Sequence, residues 1–513
     1  MSTSLDSYQE VTAETMAALR KANGPSGGLY VNLGVQGVDL SGLVSLVPVN
    51  VPARNNTSAF PRVIAGMGSQ TALWRTLLNI NDQQPNAAIG TDFAGAMTLL
   101  EEQDVYAPYR PLAMAGRVTL DAVAVARNYV DALAVAELQT LNQLFISQDA
   151  YIINGQSYAL AAPSVPSLTT SATGGSIAAS TAVYVSVAAR SGINYFYGGS
   201  TPATATANIT TASTGSTNVV DASIPAVKGA VAYDWYVGTS TAQYYYTTTT
   251  VASVTVTSVP TAAQPLPNLP LLSTVVPGVN ASVTVAGKFP TQNGNGSPPT
   301  VDNSWSSTAY SGVIAANLGD YGATGPVTPG TGTPSGATFI DNGGNAPQLS
   351  GGGVDILDRI NDALWASVQL SPTAYMVNSL QADEISKLIL GSASALTYLP
   401  PTDADARTNL AGGGYIGRYV NRAAGGVPVA IEVHPRVAPG TIIARTDRVP
   451  FPGSNIGTVH EVRCQYDTMR FDYAANYNPG TLGGGPRYDF EIRSMECLVA
   501  RAPVAQAVVS NIS

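Results

Sequence analysis

Apolar residues recur at steps of three and four through Val123, Ala126, Val130, Ala134, Leu138, Leu141 and Phe145, while Asp121, Asn128, Asp131, Gln139 and Asn142 fall opposite. That period predicts one long amphipathic helix within Val118–Gly155. Thr119 is placed to cap it, Val118 and Val123 are spaced as a hydrophobic staple, and Asp121 puts a negative charge in the first turn. Asn154–Gly155 is a C-terminal stop. From Leu120 to Asp149 such a helix is about 45 Å long at 1.5 Å per residue. With only one apolar stripe it needs a broad surface to lie on, and no other stretch predicts a helix of comparable length.

The pattern elsewhere is mostly that of strands. Residues 1–45 begin with a helical stretch, Ser7–Lys21, and loosen at Asn23–Gly28 into what reads as an extended arm. Val44–Pro61 is strand-like but broken by Pro48, Pro52 and Pro61, which suits a sheet edge. Arg62–Asn79 and Ala87–Pro111 read as the arms of a long hairpin with a polar tip at Asn79–Asn86. Such a loop has little local core and is expected to rest on another chain. At Ala161–Pro166 the composition shifts, and residues 163–300 alternate with period two. Val183, Val185 and Val187 share one face, as do Tyr233, Trp235 and Val237, with turn signals at Gly174, Gly198, Gly215 and Gly238. Short strands at this spacing predict a β-sandwich, and its aromatic residues weigh against a low-complexity linker. Prolines at both ends (Pro163 and Pro166, then Pro260–Pro270) suggest an inserted module that projects outward and is dispensable for assembly.

Residues 301–353 read as irregular. Helices are predicted at Val354–Gln369 and at Leu380–Leu390, the second capped by Ser379 and stopped by Gly391. Strands are predicted at Ala374–Val377, Val427–Val433 and Thr441–Arg445. Val459–Tyr473 and Arg487–Pro503 read as long alternating strands, the natural partners of the long helix.

Composition narrows the function. Charged residues make up 11% of the 513, against a hydrophobic fraction of 45%, with 50 Gly and 34 Pro. A chain so poor in charge and rich in turns fits a β-rich protein that buries much of its surface on neighbours. Its net charge of −9 excludes a basic nucleic-acid grip, although an acidic chain could line a container from which nucleic acid must slide free. The start at Met1 has neither a basic nor an apolar signal region, and no apolar run is long enough for a membrane span. Cys464 and Cys497 are the only cysteines and read as free thiols, with a bond between neighbouring strands as the alternative.

No catalytic constellation stands out. Gly412–Gly417 matches GxGxxG without a strand-to-helix setting. His434 and His460, the only histidines, are too few for common zinc sites, and His434 reads as structural. Asp403 and Asp405 do not continue into a calcium loop. The sequence therefore predicts neither an enzyme nor a cofactor.

Several segments resemble the major capsid protein of tailed, double-stranded-DNA bacteriophages. Tyr109-Arg-Pro-Leu-Ala-Met-Ala-Gly-Arg-Val-Thr119 is similar to that family's return from the extended loop into its spine helix, and Ile152-Ile-Asn-Gly155 to the end of that helix. Glu432-Val-His-Pro435 followed by Pro439-Gly-Thr-Ile-Ile443 resembles the exit from its A-domain. The resemblance covers about residues 30–160 and 350–513. The insert resembles the immunoglobulin-like domains that some of these proteins carry, Gly229–Gly238 being its clearest signature. The resemblance implies an α+β fold with an N-arm (1–45), E-loop (46–115), P-domain spine helix (116–162), immunoglobulin-like sandwich (163–300), A-domain (301–445), and P-domain long strands with the C-terminus (446–513). It also implies self-assembly into an icosahedral shell of pentamers and hexamers, in the virion and formed in the host cytoplasm. The partners it implies are a portal, a separate scaffolding or decoration protein, and DNA held without specificity. Arg54, Arg62, Trp74, Arg75 and Arg110 are the candidate assembly contacts. An adhesin or tail-fibre protein, whose sandwich would bind a receptor, is the competing expectation. Some relatives cross-link the loop through a lysine, but Lys21, Lys228, Lys288 and Lys387 all lie outside it, so a lattice without covalent links is expected.

Overall fold

The computed structural model describes residues 60–64, 69–79, 102–126, 131–260, 297–306, 308–319, 336–350, 353–391, 416–449, 456–473 and 487–513. The expected arm, Arg54, the hairpin tip beyond Asn79, Asp403, Asp405 and Gly412–Tyr415 lie outside these residues. The first elements are β1 (Arg62–Ile64), β2 (Thr71–Leu77), β3 (Glu102–Pro108), β4 (Arg110–Thr119), α1 (Leu120–Ala126) and α2 (Ala132–Asn154). The insert holds β5 (Ser167–Ser171), β6 (Ala182–Ser191), α3 (Gly192–Tyr197), β7 (Ala207–Thr210), β8 (Val219–Ser223), β9 (Ala230–Gly238), β10 (Tyr244–Thr249) and β11 (Ser253–Val256). Then come α4 (Val313–Leu318), β12 (Thr338–Asp341), β13 (Leu349–Ser350), β14 (Gly353–Val354), α5 (Asp355–Val368), β15 (Ala374–Val377) and α6 (Ser379–Gly391). The chain closes with β16 (Arg418–Asn421), β17 (Val427–Val433), β18 (Ile442–Arg445), β19 (His460–Tyr473), β20 (Arg487–Ala500) and β21 (Ala507–Ser510). The architecture is mixed α+β.

The two long strands form as expected and centre a sheet of order β1-β19-β20-β4. The expected single helix does not form. The helical spacing runs unbroken through the sequence, but Asp131 has an extended backbone (ψ 96°) and its carboxylate accepts from the amides of Leu133 and Ala134. A short acidic side chain favours that cap over an interior position, so α2 starts afresh after α1 and spans about 34 Å. Thr119 Oγ1 does cap α1 through the Ala122 amide, and Gly155 ends α2 as expected.

The expected stripe is also not the buried one. Leu138 is 47% exposed, whereas Ala132, Ala136, Thr140, Leu144 and Gln148 are buried at steps of four. The close approach of helix and sheet decides this. A Cβ at Gly116 of β4 would overlap the Phe490 ring and stand 2.7 Å from Thr140 Oγ1, so small residues must face the strand.

The hairpin is shorter than expected on its outgoing side. Its paired arms are β2 and β3, Thr71 facing Pro108 and Leu77 facing Glu102. Arg62–Ile64 instead runs parallel to β19 in the main sheet.

The insert is two sheets, β10-β9-β6-β7 and β11-β8-β5, packed around Val183, Val185, Val187, Tyr233, Trp235 and Val237, the residues the period-two pattern selected. It is not loosely tethered. Ile193, Tyr197 and Val231 belong to the same apolar core as α2, Tyr197 stacks on Tyr151 at 6.3 Å, and Asn511 Oδ1 accepts from the buried Ala252 amide at 2.7 Å. The alternation pattern identified the strands, but docking depends on α3, whose six residues are too few to show a helical period.

A six-stranded sheet, β12-β21-β18-β15-β17-β16, forms the other lobe with α5 and α6. The last strand, β21, lies between β12 and β18, so the C-terminus belongs to this sheet and not with the long strands. Asn378, not Ser379, caps α6: its Oδ1 accepts from the Leu380 amide at 3.0 Å.

Candidate functional site

Glu496 lies at the centre of the main sheet with its side chain fully buried. Three groups far apart in sequence converge on it. Gln148 of α2 donates its amide, Tyr310 donates its hydroxyl at 2.9 Å, and Arg62 of β1 donates at 3.2 Å. Arg62 also reaches Asp467 at 2.7 Å and Cys464 Sγ at 3.2 Å. Burial pushes the Glu496 carboxyl above its ordinary value, with Arg62, Tyr310 and Gln148 opposing the shift. The cluster ties the strand before the hairpin, the long helix, the segment after the insert and β20 into one unit.

The opposite face of the sheet receives the hairpin. In β2, Ala72, Trp74 and Thr76 point inward and Thr71, Leu73 and Arg75 outward. Trp74 Nε1 and Thr76 Oγ1 both donate to the Ala500 carbonyl, each at 3.0 Å. The Leu77 amide donates to Arg501 O at 2.7 Å, and Arg463 Nη1 to Leu73 O at 2.8 Å. Arg463 is itself oriented by the nearly buried Glu461, which also takes Arg501. The described hairpin arms thus rest on their own subunit, where Trp74 finds a buried slot beside β20.

The candidate contacts are placed as follows. Arg62 and Trp74 are engaged within the subunit, as just described. Arg75 is two-thirds exposed and pairs across the hairpin with Glu102 and Asp104, each at 3.2 Å. Arg110 stands opposite Glu496 in the β4–β20 register. Arg54 is outside the described residues. Glu496 had no signal in the sequence: it reads as one more charge in an alternating strand, and only the register points it at α2.

Further along the same outer face the sheet is bare. Met469 and Phe471 of β19 and Ala113 and Ala115 of β4 are exposed, and between them β20 presents Arg493 and Glu491, which pair along the strand at 3.2 Å, and Asp489, which pairs with Arg117 of β4 at 2.7 Å. Leu73 and Tyr106, a cross-strand pair, are exposed on the hairpin.

Both cysteines are buried free thiols. Cys464 pairs with Glu496 and Arg463 with Cys497, which puts the two sulfurs on opposite faces of one ladder. His434 is structural: its Nδ1 accepts from the Arg436 amide at 3.1 Å and its Nε2 lies 2.9 Å from Asp149 of α2. His460 is buried against Asn317 Oδ1 at 2.8 Å, and burial, with Arg445 nearby, pushes its pKa down to about 3. Among the described residues no group of three His, Cys, Asp or Glu side chains could hold a metal ion, and no helix is long and apolar enough to cross a membrane.

No protein-family model and no curated protein matches the sequence. Some solved structures are similar to this chain. One is the capsid of an empty GTA particle, at 7% identity and a TM-score of 0.37, with 90% of each chain covered. A virus-like particle from Pyrococcus furiosus is similar at 8% identity and a TM-score of 0.31, with 91% of this chain and 96% of that chain covered. The Phage G gp27 major capsid proteins and gp26 decoration proteins are similar at 6% identity and a TM-score of 0.34, with 88% of each chain covered.

Proposed function

We propose that this chain is the structural subunit of an icosahedral shell, a major capsid protein that assembles as pentamers and hexamers around double-stranded DNA. The observation that carries it is the bare outer face of the β4-β20-β19 sheet. One side of that sheet is covered by α2, while the other leaves Met469 and Phe471 exposed beside the charged row Arg493, Glu491 and Asp489 of β20. Exposed apolar side chains flanking a row of paired charges suit a contact surface. The order of parts in the sequence resemblance agrees, with α2 as the spine helix, the β2–β3 region as the E-loop and the two-sheet insert as an immunoglobulin-like domain. Of the candidate contacts, Arg75 is the one we assign to a neighbour, because its guanidinium is two-thirds exposed beside Glu102 and Asp104 and suits a further carboxylate. The tail-fibre alternative loses support because the insert shares its core with the body.

DNA would be held without specificity, since Asp and Glu number 33 against 24 Lys and Arg. A portal and a separate scaffold or decoration protein complete the proposal. Electron microscopy of the purified chain tests it: closed shells are expected. A compact monomer under every assembly condition, seen also by sedimentation, overturns it.

A further inference from the structure

Among the described residues the β2–β3 hairpin forms a two-stranded sheet of its own, joined to no larger ladder. A lone hairpin is marginal in water and has no intrinsic reason to hold one direction. Something outside its own ladder must fix it on the body. Ala72, Trp74, Val105 and Ala107 pack its inner face into the main apolar core, and two polar groups of that face share one acceptor: Trp74 Nε1 and Thr76 Oγ1 both end on Ala500 O. Thr76 is fully buried, so its hydroxyl has no water to turn to. The adjacent Leu77 amide bonds Arg501 O, and Arg463 holds Leu73 O from the side.

We propose that Thr76 and Trp74 are positioning residues that lock the hairpin to its own subunit through Ala500 O, so that its direction is set before a neighbour is met. The consequence for assembly rests on the shell function proposed above; the lock itself does not. A hairpin aimed in advance loses less conformational freedom when it docks, and copies aimed alike build contacts of one geometry.

The test uses the full chain. Thr76→Val keeps the branched shape and removes the hydroxyl, Thr76→Ser keeps the hydroxyl, and Trp74→Phe removes the indole N–H. Hydrogen exchange is read separately for residues 71–77 and 102–108 and for the β19–β20 core. Thr76→Val should speed exchange in the hairpin by about tenfold and leave the core unchanged, with Trp74→Phe acting in the same segment and Thr76→Ser restoring protection. Unchanged hairpin exchange, or equal acceleration in hairpin and core, overturns the lock. Particle diameters are then compared: Thr76→Val should broaden their distribution and Thr76→Ser should narrow it again. Shells of wild-type uniformity from a subunit with a loosened hairpin would overturn the role in assembly. A wild-type chain that forms no shells would count against the shell function, while the exchange data would still judge the lock.

Discussion

The hydroxyl of Tyr310 donates to Oε1 of Glu496 at 2.9 Å, across 186 residues of sequence, in a site with no solvent. Because burial raises the Glu496 carboxyl above its ordinary value, the folded state favours the protonated form more than the unfolded chain does. The stability from this group is therefore fully present below the unfolded carboxyl value and is lost as pH rises through the folded one. Glu496→Gln removes that dependence. Thermal melts of both proteins from pH 8 down to pH 4 should show wild type gaining on the variant as pH falls; parallel curves would contradict this. Glu496→Ala, which takes the shared acceptor from Gln148 and Tyr310 and leaves Arg62 only Asp467 and Cys464, should cost about 3–5 kcal/mol.

His460 acts with the opposite sign. Its folded pKa of about 3 lies below the unfolded value of 6.5, so the fold resists protonation. Stability is fully present above pH 6.5 and drains as pH falls toward 3, with a slope approaching 1.4 kcal/mol per pH unit, roughly one proton's worth. His460→Gln, which keeps a donor for Asn317, should flatten acid unfolding in this window. An unchanged slope would show that other groups carry it.

Gly116 is required by packing. Gly116→Ala drives a methyl into the Phe490 ring and toward Thr140, between the main sheet and α2. A loss of about 1–3 kcal/mol in urea unfolding is expected from overpacking. Pairing the change with Thr140→Ala should recover part of it.

Replacing residues 163–300 with a short Gly/Ser linker tests whether the insert is a separable module. The proline-rich ends alone predict a soluble product that still assembles. Docking of Ile193, Tyr197 and Val231 into the core around α2 predicts the reverse: an aggregation-prone chain with a much lowered melting temperature. Circular dichroism and yield of the truncated chain decide between them.

Shells should dissolve in hot SDS with reductant to a single band near 52.7 kDa. The described part of the hairpin region, 69–79 and 102–119, carries no lysine, and the free thiols of Cys464 and Cys497 are buried with burial pushing the former up to about 12. A ladder of multimers would contradict this.

Where a local period matched a local element, the sequence alone was enough. The two long strands, α5, β15, β17 and the inward residues of β6 and β9 follow from alternation, helical spacing or short apolar runs, signals carried by neighbouring residues of one segment. The Thr119 cap was legible because it stands immediately before the first residues of the apolar period. The tertiary structure decided what depends on close approach between distant segments. The break at Asp131 was hidden because a capping carboxylate and an exposed one look alike in a pattern. The buried face of α2 was set by how near β4 comes at Gly116, so that small residues outrank Leu138. Glu496, Thr76 and the opposed cysteines took their roles from strand register, in which a shift of one residue exchanges the two faces of a sheet.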